Sequence, residues 1–308
     1  MSLIIIRPGM QASLQGRPRL HHRHQGVPAS GPADEHSFAL ANLAVGNSVD
    51  TTCVEITAGG FETIIKHPAT IALSGAPCPA YLNTQAIPFY QPIKVKADDV
   101  LILEPPPFGF RTYLAIAGGL EASSFLDSTS TYMPAHLGGH SGRALKPDDE
   151  IKFANSNFNP SPKPIPKEIY PFFSNHWLLR IGEGAEFGLL SESSKNVFLN
   201  QNFKAGTRIS RMGIQLETPT LSLISDGRMK SEPVFPGTIQ CPENGKPFIL
   251  LSDAQTTGGY PRIGQVIRAD RHRLGQIRPN DKITFVLTQQ TDAVNILKHQ
   301  QNAINAGI

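Results

Sequence analysis

Turn-forming residues punctuate this chain from end to end: 26 prolines and 27 glycines in 308 residues fall between short apolar runs. That spacing leaves little room for long helices and predicts many short strands joined by turns. Strand candidates are the β-branched stretches 53–57, 61–65, 70–73 and 111–117, then 177–181, 214–216, 248–251 and 283–287. Two helices stand out. One covers 34–45, with Pro32 near its start and Gly46 just past its end. The other covers 292–303, with Ala293, Ile296, Leu297 and Gln300 along one side. The expected class is mainly β, built as two β-barrel lobes with few short helices.

Pro160, Pro162, Pro164, Pro166 and Pro171 recur among Ser, Asn and Lys, a pattern that forbids helix and favours an extended connector. The expected organisation is an N-terminal lobe over 1–154, a linker over 155–172, and a C-terminal lobe over 173–308 ending in the second helix. A weak repeat supports two related lobes. Lys146-Pro147-Asp148-Asp149-Glu150-Ile151-Lys152-Phe153 parallels Arg278-Pro279-Asn280-Asp281-Lys282-Ile283-Thr284-Phe285, each an Asx-Asp turn delivering an alternating strand. A looser copy runs from Lys96-Ala97-Asp98-Asp99 into Val100-Leu101-Ile102-Leu103.

A formal charge of +3 is small for this length and implies no polyanion partner. The densest basic stretch, Arg268, Arg271, His272, Arg273 and Arg278, has no aromatic residues interleaved to stack on bases, so it reads as a solvated face and not a nucleic-acid site. Three scattered cysteines without a CxxC pair read as reduced thiols. The opening Met1-Ser2-Leu3-Ile4-Ile5-Ile6-Arg7-Pro8 reads as a first strand, too short for a signal peptide's apolar core, and no apolar run approaches a membrane span. The expectation is a cytoplasmic protein without membrane contact. His21-His22-Arg23-His24 invites a metal reading, but adjacent strand positions face opposite ways and no acid or cysteine is spaced to complete a ligand set. No metal is expected.

The strongest constellation is Leu250-Leu251-Ser252-Asp253-Ala254-Gln255-Thr256-Thr257-Gly258-Gly259-Tyr260-Pro261-Arg262, an apolar strand opening into a loop of amide, hydroxyl and backbone donors. Paired glycines allow close backbone approach, and Arg262 offers a fork for a carboxylate or phosphate. A ligand loop and an ordinary hydrogen-bonded hairpin both fit these residues. Gln240 lies among turn formers upstream, Arg211 sits at a strand mouth, and Ser128-Thr129-Ser130-Thr131-Tyr132 with Gly138-Gly139-His140-Ser141-Gly142-Arg143 form a similar patch in the first lobe. No GxSxG, P-loop or helix-opening GxGxxG is present. Candidate catalytic residues are Gln255, Thr256, Thr257 and Arg262. Candidate substrate- or anion-binding residues are Arg211, Gln240, Gly258, Gly259, Tyr260, Ser130 and Thr131.

Taken together, several segments resemble one family. They are 26–34, 41–47 with Glu55, Leu73-Ser74-Gly75-Ala76, 111–119, Ser130-Thr131-Tyr132, Gly138-Gly139, 142–145, Arg211-Met212-Gly213, Pro236 to Gln240 and Gln255 to Pro261. The family is that of the 5-oxoprolinase C subunit, KipA and allophanate hydrolase subunit 2, also found within the carboxyltransferase region of urea carboxylase. The resemblance implies two cyclophilin-like barrels and two partners, a KipI-like B subunit and a LamB/YcsF-like A subunit. It also implies ATP-dependent opening of 5-oxoproline to glutamate by the assembled complex. The chain alone is expected to be inactive. The same resemblance implies two other roles: a carboxyltransferase component using biotin carried elsewhere, since no Ala-Met-Lys-Met motif is present, or a KipA-like regulator that binds a KipI-like kinase inhibitor. Loop positions depart from the family's usual residues: an aspartate expected after Gln15 is Gly16, and the glycine and arginine expected around Ser128 are Asp127 and Thr129.

Overall fold

The computed structural model describes residues 1–155, 158, 161–224 and 229–306. It resolves into two units. Unit 1 comprises Met1–Arg19 and Ser30–Phe173, and unit 2 comprises Leu20–Ala29 and Ser174–Ala306.

Unit 1 holds β1 (Ser2–Pro8), β2 (Gln11–Gln15), α1 (Glu35–Ala44), β3 (Cys53–Thr57), β4 (Phe61–Ile65) and β5 (Ala69–Gly75). It continues through β6 (Ala80–Leu82), β7 (Gln85–Ala86), β8 (Ile93–Val95), β9 (Asp99–Leu103), β10 (Arg111–Ile116) and β11 (Glu150–Lys152). The strands form two sheets, ordered β11-β1-β4-β9-β6-β7 and β2-β3-β10-β5-β8. Between them lies an aliphatic core that includes Leu3, Ile5, Leu14, Ile56, Ile71, Leu101 and Leu114. Alternation explains it: β4 buries Phe61, Thr63 and Ile65 while Glu62 and Ile64 face outward. α1 starts where Asp34 accepts from the Ser37 amide at 2.9 Å, and it ends at Gly46, whose φ of 78° suits a residue without Cβ.

Unit 2 holds β12 (His176–Glu183), α2 (Glu192–Asn200), β13 (Phe203–Ile209), β14 (Gly213–Thr218), β15 (Glu232–Pro233) and β16 (Thr238–Gln240). Then follow β17 (Phe248–Leu250), β18 (Thr257–Gly258), β19 (Arg262–Val266), α3 (Arg271–Leu274), β20 (Lys282–Leu287) and α4 (Gln290–Ala306). Seven strands close a barrel in the order β12-β19-β16-β17-β14-β13-β20, which leaves no open sheet edge. The short pair β15-β18 stands apart from it. One end of the barrel is filled by Phe198 of α2, fully buried, whose ring centroid lies 4.8 Å from that of Phe285 and 6.0 Å from that of Phe203. The mainly-β expectation therefore holds, with the second barrel closed and the first unit built as two sheets.

The repeat read from sequence has a shared atomic basis. Asp98, Asp148 and Asn280 all take φ between 64° and 72°. The next residue in each copy, Asp99, Asp149 or Asp281, accepts the amide three positions earlier at 2.7, 2.7 and 2.9 Å respectively. A short acidic side chain that closes the turn on its own backbone delivers each following strand.

Two features are not legible in the sequence. α2 escapes notice because its nine residues carry only two buried side chains, Ser194 and Phe198, too few to show a period. The proline-rich segment, expected as an extended connector, packs on unit 1 over its described residues. Lys163 and Ile165 donate to the carbonyls of Ala44 and Tyr90, and Tyr170 stacks on Tyr90 at 4.1 Å. Residues 156, 157, 159 and 160 of that segment lie outside the described residues. α4 runs longer than the expected 292–303, with Ala293, Ile296, Leu297 and Gln300 half-buried.

Candidate functional site

In unit 2 the loop after β17 turns back through β18 into β19. Gln240, on β16 and almost fully buried, donates to the Tyr260 carbonyl at 3.1 Å and accepts from Gln255 at 3.5 Å. Gly258 lies directly over that amide: a Cβ there would fall 2.6 Å from Gln240 Nε2. Its φ is not in the left-handed region, so the glycine is required by this contact and not by the turn. Gln255, Thr257 and Tyr260 face solvent, and Gly259 and Thr256 are half-buried. The amide and phenol edges are thus displayed on a rigid base.

Arg262 and Arg211 each hold a carboxylate. Arg262 donates to Glu186 from Nε at 2.8 Å and from Nη2 at 2.7 Å, and its Nη1 reaches the Pro233 carbonyl at 3.1 Å. These bonds draw the Glu186 carboxyl below its ordinary range and raise the guanidinium. Arg211 is buried and donates to Asp253 at 2.8 and 3.0 Å and to Ser252 at 3.2 Å. It pins the Ser252–Asp253 turn, because a buried guanidinium needs a carboxylate to offset lost hydration.

Ser130 and Thr131 of unit 1 are also fully buried. Ser130 Oγ donates to the Gly16 carbonyl at 2.8 Å and accepts the Gly16 amide at 3.0 Å. Thr131 Oγ1 donates to the Leu14 carbonyl at 2.8 Å. Arg19, with no exposed surface, donates to the carbonyls of Phe125 and Ser130. These bonds stitch the segment 128–131 to β2 and the residue after it.

What they stitch is the wall of a cleft of about 920 Å³, lined by Arg17, Thr52, Thr129, His140, Ser141 and Lys152 together with Asp50, Glu121, Asp127 and Glu150. Thr52 and Thr129 share a hydroxyl bond of 2.7 Å. Gly16 and Thr129, both departures from the family's usual residues, face each other: a Cβ on Gly16 would fall 2.1 Å from Thr129 Oγ1. The loop that carries His140 holds two non-glycine residues, His136 and Ser141, at positive φ, where a side chain costs strain. His140 Nε2 lies 3.3 Å from Asp149, itself held by Arg143 through two bonds of 2.7 Å. Those bonds take the Asp149 carboxyl down to about 2. The glycine-rich patch is legible in the sequence, but Arg17, Thr52 and Lys152 are not, since they come from distant segments and carry no motif.

No group of three or more His, Cys, Asp or Glu among the described residues is placed to hold a metal ion. Arg23 of the histidine-rich stretch lies over the Phe235 ring at 5.0 Å and donates to the Val234 carbonyl. No described helix is long and apolar enough to cross a membrane.

Fold and site together define a two-unit, mainly-β protein whose polar surfaces are set by buried ion pairs and hydroxyl stitches. The chain belongs to the family of the carboxyltransferase domain, subdomain A and B, which matches residues 25–287. It is 33% identical over 299 residues to the C subunit of 5-oxoprolinase from Escherichia coli, covering 97% of this chain and 95% of that one. It is 30% identical to the urea amidolyase of Saccharomyces cerevisiae over 98% of its own length, which is 17% of that protein. The crystal structure of the K. lactis urea amidolyase superposes on the whole chain with a TM-score of 0.95 at 28% identity, over 20% of that longer chain.

Proposed function

We propose that this protein is the C subunit of an ATP-dependent 5-oxoprolinase, opening the 5-oxoproline ring to glutamate with a KipI-like B subunit and a LamB/YcsF-like A subunit. The observation that carries this reading is the end-to-end match to the E. coli protein, 97% of one chain against 95% of the other. A match to a segment of a larger enzyme does not discriminate in that way.

A lactam carbonyl is a poor electrophile, and phosphorylation of its oxygen by ATP supplies the missing activation. The phosphorylated species then needs donors aimed at developing negative charge. The donors of these two candidate regions fit a triphosphate poorly. Arg211 and Arg262 are taken by Asp253 and Glu186, and the cleft sets four carboxylates beside Arg17, His140 and Lys152. The ATP-dependent step therefore belongs to the assembled complex. In this reading the chain contributes the Gln255, Thr257 and Tyr260 edges of unit 2 and the unit 1 cleft, whose size falls within the usual range for small-molecule sites.

The second reading is a carboxyltransferase component acting with biotin carried on another protein. The TM-score of 0.95 to a urea amidolyase favours it. Co-expression with the KipI-like and LamB/YcsF-like subunits, followed by assay of glutamate from 5-oxoproline and ATP, tests the first reading. Glutamate release that needs all three chains supports it. Turnover by this chain alone, or none by the full set, overturns it.

A further inference from the structure

Unit 2 carries a row of bases that its own fold does not explain. The register of β13 against β20 sets Lys204 directly opposite Lys282, and the register of β20 against β12 sets Lys282 directly opposite His176. All three are exposed, while the flanking Phe203, Ile283 and Trp177 are buried, so the three side chains share the outer face of the barrel. Like charges directly opposite on paired strands destabilise the pair. No ion pair relieves Lys204 or Lys282 among the described residues. Glu217 on the neighbouring β14 packs against Gly206 instead.

Beside this row, on the same face, two aliphatic side chains are left in water. Leu178 is 47% exposed and Val286 is 38% exposed, each at an outward position of β12 or β20. Thr284 lies opposite Leu178 and between Lys282 and Val286 on β20, bonded to His176 at 2.7 Å and to Asn202 at 2.6 Å. A basic row against an aliphatic patch, with no exposed Phe, Tyr or Trp among these residues, suits a protein surface better than nucleic-acid bases. A second copy of this chain is disfavoured as the occupant, because a two-fold contact through this face sets lysines against lysines.

We propose that the β13-β20-β12 face of unit 2 docks an acidic surface of the partner protein, Lys204, Lys282 and His176 meeting carboxylates and Leu178 and Val286 meeting an apolar centre. The inference rests on the reading of the chain as one component of a complex, and it names the surface and the charge of the partner. The repulsion built into the free barrel is relieved only when acids arrive, so the device favours the assembled state.

The test uses the full chain and the purified KipI-like protein, with binding measured by calorimetry at about 50 and 300 mM salt. Wild-type affinity should fall with salt, and Lys204→Glu with Lys282→Glu should weaken it roughly tenfold or more. Lys94→Glu on β8 of unit 1, an exposed charge reversal elsewhere, should leave it unchanged. Lys204→Glu alone places an acid opposite Lys282, so the free variant should melt higher than wild type while binding less tightly. Equal binding by wild type and the double variant overturns the docking face and leaves the complex reading standing. No binding by wild type overturns both. Retained protein binding with lost retention on heparin or anionic vesicles reassigns the row to a polyanion and overturns the proposal.

Discussion

Arg262 and Glu186 meet as two parallel bonds, Nε to Oε2 at 2.8 Å and Nη2 to Oε1 at 2.7 Å, with about a fifth of each side chain exposed. The backbone joins in, since the Arg262 amide also donates to Glu186 Oε2 at 3.0 Å. Arg262 is therefore the anchor that fixes the start of β19 to the loop after β12, directly after the exposed Tyr260 edge. Arg262→Ala should destabilise the protein by about 1–2 kcal/mol, because it leaves a partly buried carboxylate unpaired. Thermal melting should drop by roughly 3–6 °C. Removing both charges, Arg262→Gln with Glu186→Gln, should restore most of the melting temperature. If the complex then regains its full 5-oxoprolinase rate, Arg262 serves only to position the loop. A rate that stays low assigns it a direct contact with the reacting anion.

The Asp149 carboxyl, drawn to about 2 by Arg143, carries a pH signature. Its folded value lies below the unfolded value of about 3.9, so its stabilisation is complete above pH ~4 and is lost as pH falls toward ~2. Asp149→Asn should lower stability near neutrality and flatten the acid limb of the melting-temperature profile between those values. The Asn variant should also loosen His140, read as greater mobility of its side chain by NMR relaxation. An unchanged acid limb would show that other carboxylates dominate it.

Gly16 and Thr129 should behave as a coupled pair. Gly16→Ala puts a methyl on the Thr129 hydroxyl and breaks its bond to Thr52, at an expected cost of about 1–2 kcal/mol. Thr129→Ala removes the obstruction, since the Thr129 Cβ lies 3.4 Å from that methyl position. The double variant should be more stable than the sum of the singles predicts, and a double-mutant cycle by denaturant unfolding measures the coupling. Additive losses would show that the loop yields by moving its backbone.

Gly258→Ala should cost about 1–3 kcal/mol, because the new methyl displaces the buried Gln240 amide from the Tyr260 carbonyl. Gln240→Ala in the same chain should recover part of that loss. If Gly258→Ala is neutral in melting yet lowers the assembled activity, close backbone approach by a ligand becomes the reason for the glycine.

Local chemistry by itself determined a good deal about this protein. Short β-branched runs bounded by turn residues placed the strands within a residue or two of 53–57, 61–65, 111–117 and 283–287, because β-branched packing and turn chemistry act within one segment. The Asx-Asp turns were legible for the same reason: each aspartate closes on its own backbone three residues away. Asp34 and Gly46 bounded α1 through contacts inside one helical turn. Only the tertiary structure decided which partners the polar residues hold. The fold brings Asp253 to Arg211 and Glu186 to Arg262 from 42 and 76 residues away. β2 and the residue after it supply the hydrogen-bond partners of Ser130 and Thr131. The cleft that gathers Arg17, Thr52, His140 and Lys152, and the register that sets Lys204 against Lys282, join residues with no shared motif. The physical reason is common to all of these. A charge or hydroxyl is committed by whichever partner lies within about 3 Å, and for a side chain far from its partner in sequence that distance exists only in the folded chain.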